Sequence, residues 1–258
     1  MRWQTLIPAT KGTLPNGQPV HRTDPSGNPE ADIAIMGVYP AAKVKLVSVG
    51  EKRKRMNLPV QVERTSFEDG VSASGRDLDD NYLAPLGLTR DQVLLLDLLP
   101  YFLANTRGKR GRTMADNLKR YERLKGEQLG IDARPSPAKT VQMAREMPGN
   151  LARLADILGR GQPEVLLTLG VEVAAFVRDE TVSQVSKVAR ELFYQEPVRL
   201  DVVGAEVDVV HLAHPGILMA GKSGAWWRAR HQAWCTAEGQ RLVGGRGPGG
   251  RGPGGGEG

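Results

Sequence analysis

Three short runs of almost uninterrupted apolar residues constrain this chain more than any other feature. They are ADIAIMG (31–37), DQVLLLDLLPY (91–101) and PEVLLTLG (163–170). Each is strand-length and is closed by glycine or proline, the pattern of a strand covered on both faces. LDVVGAEVDVVHLAHPG (200–216) reads as a hairpin-like segment or a fourth strand, ending at histidine and proline. Helical segments alternate with these runs. SGRDLDDNYLAPLG (74–87) offers Ser74 and Asp77 as a capping box and Gly87 at the C′ position. Met147, Leu151, Leu154 and Leu158 share one helical face, and SGAWWRARHQAWC (223–235) closes the fold as a helix. The expectation is an α/β, three-layer sandwich around a central, mainly parallel four-stranded sheet.

The ends of the chain read differently. KGTLPNGQPVHRTDPSGNPE (11–30) is turn-rich, and residues 1–30 are expected to wrap the surface before the first strand. The domain proper is expected over 31–239. From Gln240 the chain becomes RLVGGRGPGGRGPGGGEG, too poor in apolar side chains to offset its ordering entropy, so 240–258 is expected to be a disordered tail. With 258 residues and 40% hydrophobic content, one full core is affordable in length, and no internal repeat is present. The single cysteine, Cys235, excludes a disulfide framework or a cysteine-only metal cluster, and no cofactor or metal is implied. No charged-then-apolar leader and no run of 18 apolar residues occurs, so the expectation is a soluble, cytoplasmic, nucleoid-associated monomer without membrane contact.

Ligands in parallel sheets sit beyond the carboxyl ends of the strands. That rule selects the loops GVYPAA after Met36, DLLPY after Leu96, and HPG after Leu212. In this order and spacing the chain resembles the uracil-DNA glycosylase superfamily. There the first strand ends in Gly-x-x-Pro, a middle strand ends in a base-reading asparagine, and a late loop carries His-Pro-Ser. SFEDGVSASGRDLDDNYLAPLGL (66–88) is similar to the Phe…Ser-Gly-x-x-Leu-Asp stretch of the thermophile-type branches. The likeness covers roughly residues 30 to 235. Three departures stand out: the iron-sulfur cysteines are missing, Asp97 replaces the asparagine, and Gly216 replaces the serine.

The resemblance implies a DNA glycosylase that flips a nucleotide out of the stack. Gly37, Val38, Tyr39 and Ala41 would form the base pocket, Phe67 the stacking face, and His214 a donor to the carbonyl oxygen of the leaving base. His211 is expected to be structural. Ser74 would contact DNA, and Leu218 and Met219 would fill the vacated stack. Val38 and Tyr39 stand where many relatives place a water-activating Asp, Asn or Glu; Glu68 or Asp69 is the expected substitute.

Asp97 points to the substrate. An ionised carboxylate facing uracil O4 opposes two acceptors, at a cost of about 1–3 kcal/mol. Cytosine instead donates from N4 and accepts at N3, so an aspartic acid sharing one proton satisfies it. Burial in an apolar strand would raise the Asp97 pKa and favour that proton. Uracil-specific relatives carry a tyrosine after the proline that excludes C5 substituents, whereas Ala41 leaves that space open. The expected substrate is therefore a C5-modified cytosine, as in hypermodified viral DNA, in an antiviral setting. A conventional uracil or hypoxanthine repair enzyme and a non-catalytic reader of modified DNA are the alternatives.

The charge of +6 suits a polyanionic partner. KVKLVSVGEKRKR (43–55) carries six basic residues against one acidic, and RGKRGRTMADNLKRYERLK (107–125) eight against two. Arg53, Lys54, Arg110 and Arg112 are the expected phosphate contacts.

Overall fold

The computed structural model describes residues 3–50, 53–106, 113–218, 220–222 and 224–244. The strands are β1 (Thr10–Thr13), β2 (Pro19–His21), β3 (Ser26–Gly27), β4 (Ile33–Gly37), β5 (Ala42–Val49), β6 (Lys54–Val62), β7 (Leu94–Asp97), β8 (Val165–Leu169), β9 (Val198–Val202) and β10 (Ala205–Leu212). Six of them build a central mixed sheet in the order β3-β7-β4-β8-β10-β9, flanked by helices. The three apolar runs supply β4, β7 and β8, and every residue of these strands is buried. They pair in parallel with one another and with β10.

The sheet is wider than the four strands expected. Segment 200–216 is both a hairpin and a sheet strand, because β9 pairs antiparallel with β10 at one edge. At the other edge β3 pairs antiparallel with β7. The N-terminal segment therefore does more than wrap: it adds an edge strand and a β1–β2 ribbon, and buries Ile7, Leu14 and Val20. Short edge strands of this kind carry weak local patterns, since their register is set by the strand they join.

Three local expectations are corrected. The helix after Phe67 is capped by Ser72, whose Oγ accepts the Gly75 N–H at 3.3 Å, so Ser74 lies inside the first turn and makes no box with Asp77. Ser72 is drawn to this role by a distant partner, donating to Glu63 Oε1 at 2.7 Å. Gly87 does end the following turn in the left-handed region. Next, Gly149 (φ +78°) breaks the helical face at Met147, and Leu151 is exposed; the buried positions of helix Asn150–Gly161 include Arg153, Leu154 and Leu158. Last, Gln240 does not open a disordered segment, because Gln240–Gly244 is helical with Val243 buried. Residues 245–258 lie outside the described residues. Among the described residues no helix is long and apolar enough to cross a membrane.

β5 and β6 form a long antiparallel ribbon that leaves the sheet directly after the GVYPAA loop. Helix Met114–Lys125 packs on it through Ala115, Leu118 and Tyr121 against Val49, Met56 and Leu58. The described parts of the two basic segments, distant in sequence, are thus neighbours in space.

One buried cation organises the sheet's working end. Arg153 is 2% exposed and donates from Nη2 to the carbonyls of Asp97 (2.7 Å) and Leu98 (3.0 Å), and from Nε to Asn150 Oδ1 (3.0 Å). Asn150 Nδ2 in turn donates to Leu98 O and Ala144 O. Burial lowers the Arg153 pKa to about 10, still charged at neutral pH. Replacing Arg153 by leucine leaves these acceptors without their donor. We expect Arg153→Leu to lose about 3 kcal/mol or more of stability in urea unfolding. Arg153→Lys should recover only part of it, since an ammonium lacks the planar fork; full recovery would show that charge alone suffices.

Candidate functional site

The parallel strands β7, β4, β8 and β10 deliver their carboxyl ends to one edge of the sheet, and the loops that follow carry the polar groups. At the end of β4, Gly37 is a point of close approach. A Cβ there would lie 2.6 Å from Phe67 Cζ and 2.7 Å from Asp97 Oδ1, so only glycine admits both neighbours. Gly37, Phe67 and Asp97, from three separate segments, are therefore brought together. Phe67 is 7% exposed and adopts φ +57°, a costly conformation for a non-glycine residue. Arg90 holds it by donating to Phe67 O while pairing with Asp79.

Asp97 is 3% exposed, and its Oδ2 has no hydrogen-bond partner among the described residues. Its pKa is raised to about 7, first by burial and then by the nearby Glu63; Ser66 and Arg153 oppose the shift. Glu63 is itself buried, which pushes its carboxyl upward. It accepts the Ala41 N–H at Oε2 (2.8 Å) and the Ser72 hydroxyl at Oε1 (2.7 Å), tying the GVYPAA loop to the start of the next helix. Val38 is buried beside this loop, while Ala41 is part-exposed.

At the end of β10, Ala213 is clamped from both sides. Tyr82 Oη donates to its carbonyl (2.5 Å), and its N–H donates to Tyr194 Oη (3.1 Å). His214 follows, and its Nδ1 accepts the Gly216 N–H at 3.0 Å. That bond places the ring proton of the neutral form on Nε2, which leaves Nε2–H as a donor. Burial depresses the His214 pKa, with Arg134 adding to the effect and Glu172 opposing it. The imidazole is thus held neutral near pH 7. His211, by contrast, is buried within β10 with Nδ1 2.7 Å from Thr168 Oγ1, a structural placement.

Glu172 and Arg134 lie beside His214, and sequence reasoning missed both. A Cβ on Gly170 would lie 3.2 Å from His214 Cβ and 3.8 Å from Glu172 Oε2, so the two side chains flank this glycine. Arg134 Nη2 pairs with Glu172 Oε1 at 2.8 Å, and its guanidinium lies 5.0 Å from the centre of the Tyr39 ring. Glu172 had a usable signal: it follows the Gly170 that ends β8, a fourth strand end of the kind already singled out. Glu63 and Arg134, in a ribbon end and an irregular loop, had none.

Other expected contacts separate from the cluster. Glu68 Oε2 accepts the Arg64 N–H and Asp69 is exposed. Glu63 and Glu172, rather than these two, are the carboxylates built into the cluster. Leu218 is 2% exposed in the main core and offers no wedge, because the turn Pro215–Leu218 folds it inward. Ser74 is part-exposed near the helix start, and Arg53 and Lys54 are exposed at the far end of the ribbon. Met219, Arg110 and Arg112 lie outside the described residues. No protein-family model matches this chain and no curated protein matches it significantly, so the site is defined by its own geometry.

Proposed function

We propose that the chain is a DNA glycosylase that flips out and excises a cytosine-type base carrying a C5 substituent, within a glycosylase-like three-layer fold. The observation that carries this reading is Asp97: a buried carboxyl with a pKa of about 7, one oxygen unpartnered among the described residues, beside Phe67 and over Gly37. Protonated Asp97 donates to cytosine N3 and accepts from N4–H, and in its ionised form it still accepts from N4–H while opposing uracil O4. Phe67 supplies an aromatic surface next to this carboxyl, and Ala41 leaves room at C5.

The bond between C1′ and N1 breaks as the sugar becomes cation-like and its electron pair moves onto the base. His214 Nε2–H donates to the base O2, where that charge gathers. Water then adds to C1′ and gives up its proton to the Glu172 carboxylate, while the released base anion takes up a proton from solvent. Glu172, flanking Gly170 opposite His214, supplies the carboxylate that Val38 and Tyr39 do not. The direct test is incubation with duplexes containing plain or C5-substituted cytosines, followed by alkali. Strand breaks only in the substituted duplex are expected; binding without breaks in any duplex would make the chain a reader instead.

His214→Ala should keep DNA binding but slow excision about 10²–10³-fold, the usual cost of removing one donor to a developing anion. Single-turnover rates near wild type would remove His214 from the chemistry.

The pH dependence follows from two signs. Asp97 must carry a proton, so activity falls as pH rises through about 7. His214 must be neutral, and its pKa lies below 6.5, so the acid limb falls below that value. A bell with a mildly acidic optimum is expected in kcat/KM. Asp97→Asn should abolish the alkaline limb and shift preference toward uracil. A limb that persists in this variant belongs to another group, and an unchanged substrate preference would show that Asp97 does not read the base.

A further inference from the structure

The β5–β6 ribbon has one face that nothing in the described chain covers. Cross-strand partners share a face, so the register assigns Val47 with Met56 to the side on which helix Met114–Lys125 packs. The opposite side presents Leu46 with Asn57 and Ser48 with Arg55, with Val44 two residues along. Val44 is 40% and Leu46 52% exposed, an unusual display of aliphatic surface on a strand. Asn57, Ser48 and Arg55 are exposed beside them; Lys43, Lys45 and Lys54 alternate onto the helix side, where they are exposed at its margins, and Arg53 stands exposed at the turn. None of these five cations, Arg55 included, forms an ion pair among the described residues. The acids of the supporting helix are already engaged: Asp116 caps at Thr113, and Glu122 accepts the Leu129 N–H.

We infer that this ribbon is the element that docks on duplex DNA, with the Val44–Leu46–Arg55–Asn57 face toward the base edges of the major groove and the lysines of its other side reaching past the ribbon's edges to the phosphates that flank the groove. A two-stranded ribbon matches the width of that groove, and Arg, Asn and aliphatic side chains are the groups that meet base edges and methyl groups there. The ribbon's base, Ala42 paired with Val62, adjoins the Ala41–Glu63 contact at the candidate pocket. Its eight-residue first strand spans about 26 Å away from the pocket, or most of one turn of duplex. The inference rests on DNA being the partner and assigns a surface to it. It also fits a C5-modified substrate, since C5 substituents project into the major groove.

Two exposed-residue variants test it without threatening the core. With a 30-base-pair duplex of plain sequence as probe, Lys43→Gln, Lys45→Gln and Lys54→Gln combined should weaken binding at least tenfold at low salt. The plot of log affinity against log salt should become shallower by about 2–3. Leu46→Asp should weaken binding by a similar factor through repulsion and desolvation in the groove, while leaving thermal unfolding unchanged. Methyl green, a major-groove ligand, should compete; netropsin, a minor-groove ligand, should not. Wild-type affinity and slope in both variants would overturn the inference, and competition by netropsin alone would overturn the groove assignment. Base release from the C5-substituted duplex, measured alongside, separates the two ideas. Ribbon-dependent binding with no release sinks the glycosylase reading alone, and release that ignores both variants sinks the ribbon alone.

Discussion

The guanidinium of Arg153 is the interaction on which the rest depends. It sits inside the fold with the Asn150 amide oxygen and two backbone carbonyls as its acceptors, and both carbonyls belong to the residues where β7 stops. Held there, the chain turns out of the sheet at Asp97, and the carboxyl is aimed at Gly37 rather than at water. The same positive charge partly offsets the cost of burying Asp97. Burial and Glu63 push in the other direction. The outcome is a carboxyl balanced near neutrality, which none of these groups would produce alone.

A second set of restraints fixes the opposite wall. Two tyrosine hydroxyls grip the two backbone polar groups of Ala213, so the peptide before His214 has no freedom to rotate. Gly216 then selects the imidazole tautomer through its N–H. A side chain at this position would put its Cβ 3.3 Å from His214 Nδ1. The absence of that side chain loosens the packing on the ring but keeps the backbone donor, which is the part that sets the proton.

Much of this was legible in the sequence where local pattern and burial coincide. Runs that are apolar at every position announce central strands, and glycine or proline marks where they end; β4, β7 and β8 were found on that basis, with Gly37, Asp97 and His214 at or near strand ends. Legibility failed where a distant partner decides. Ser72 outcompetes Ser74 as a cap because Glu63 waits for its hydroxyl. Leu218 reads as a loop-tip side chain but folds into the core. The edge strand β3 has too few residues to announce itself, and β9 was legible only as the first arm of the 200–216 hairpin. Arg153 is the clearest case. A lone arginine on an amphipathic helix looks like surface, and only the carbonyls of another segment make it a core residue.

The ribbon also bears on how copies of this chain behave toward one another. A two-stranded ribbon has two open edges, of which β6 is partly covered where Asn57 O and Val60 O accept from Asn117 and Asn16, and beside them lies aliphatic surface at Val44 and Leu46. Such an edge is a template for sheet extension between molecules. Here every approach meets like charge from Lys43, Lys45, Arg53, Lys54 and Arg55. Mutual repulsion therefore guards a surface that hydrophobicity alone would make adhesive, and added salt, which shortens the range of that repulsion to a few ångströms, removes the guard.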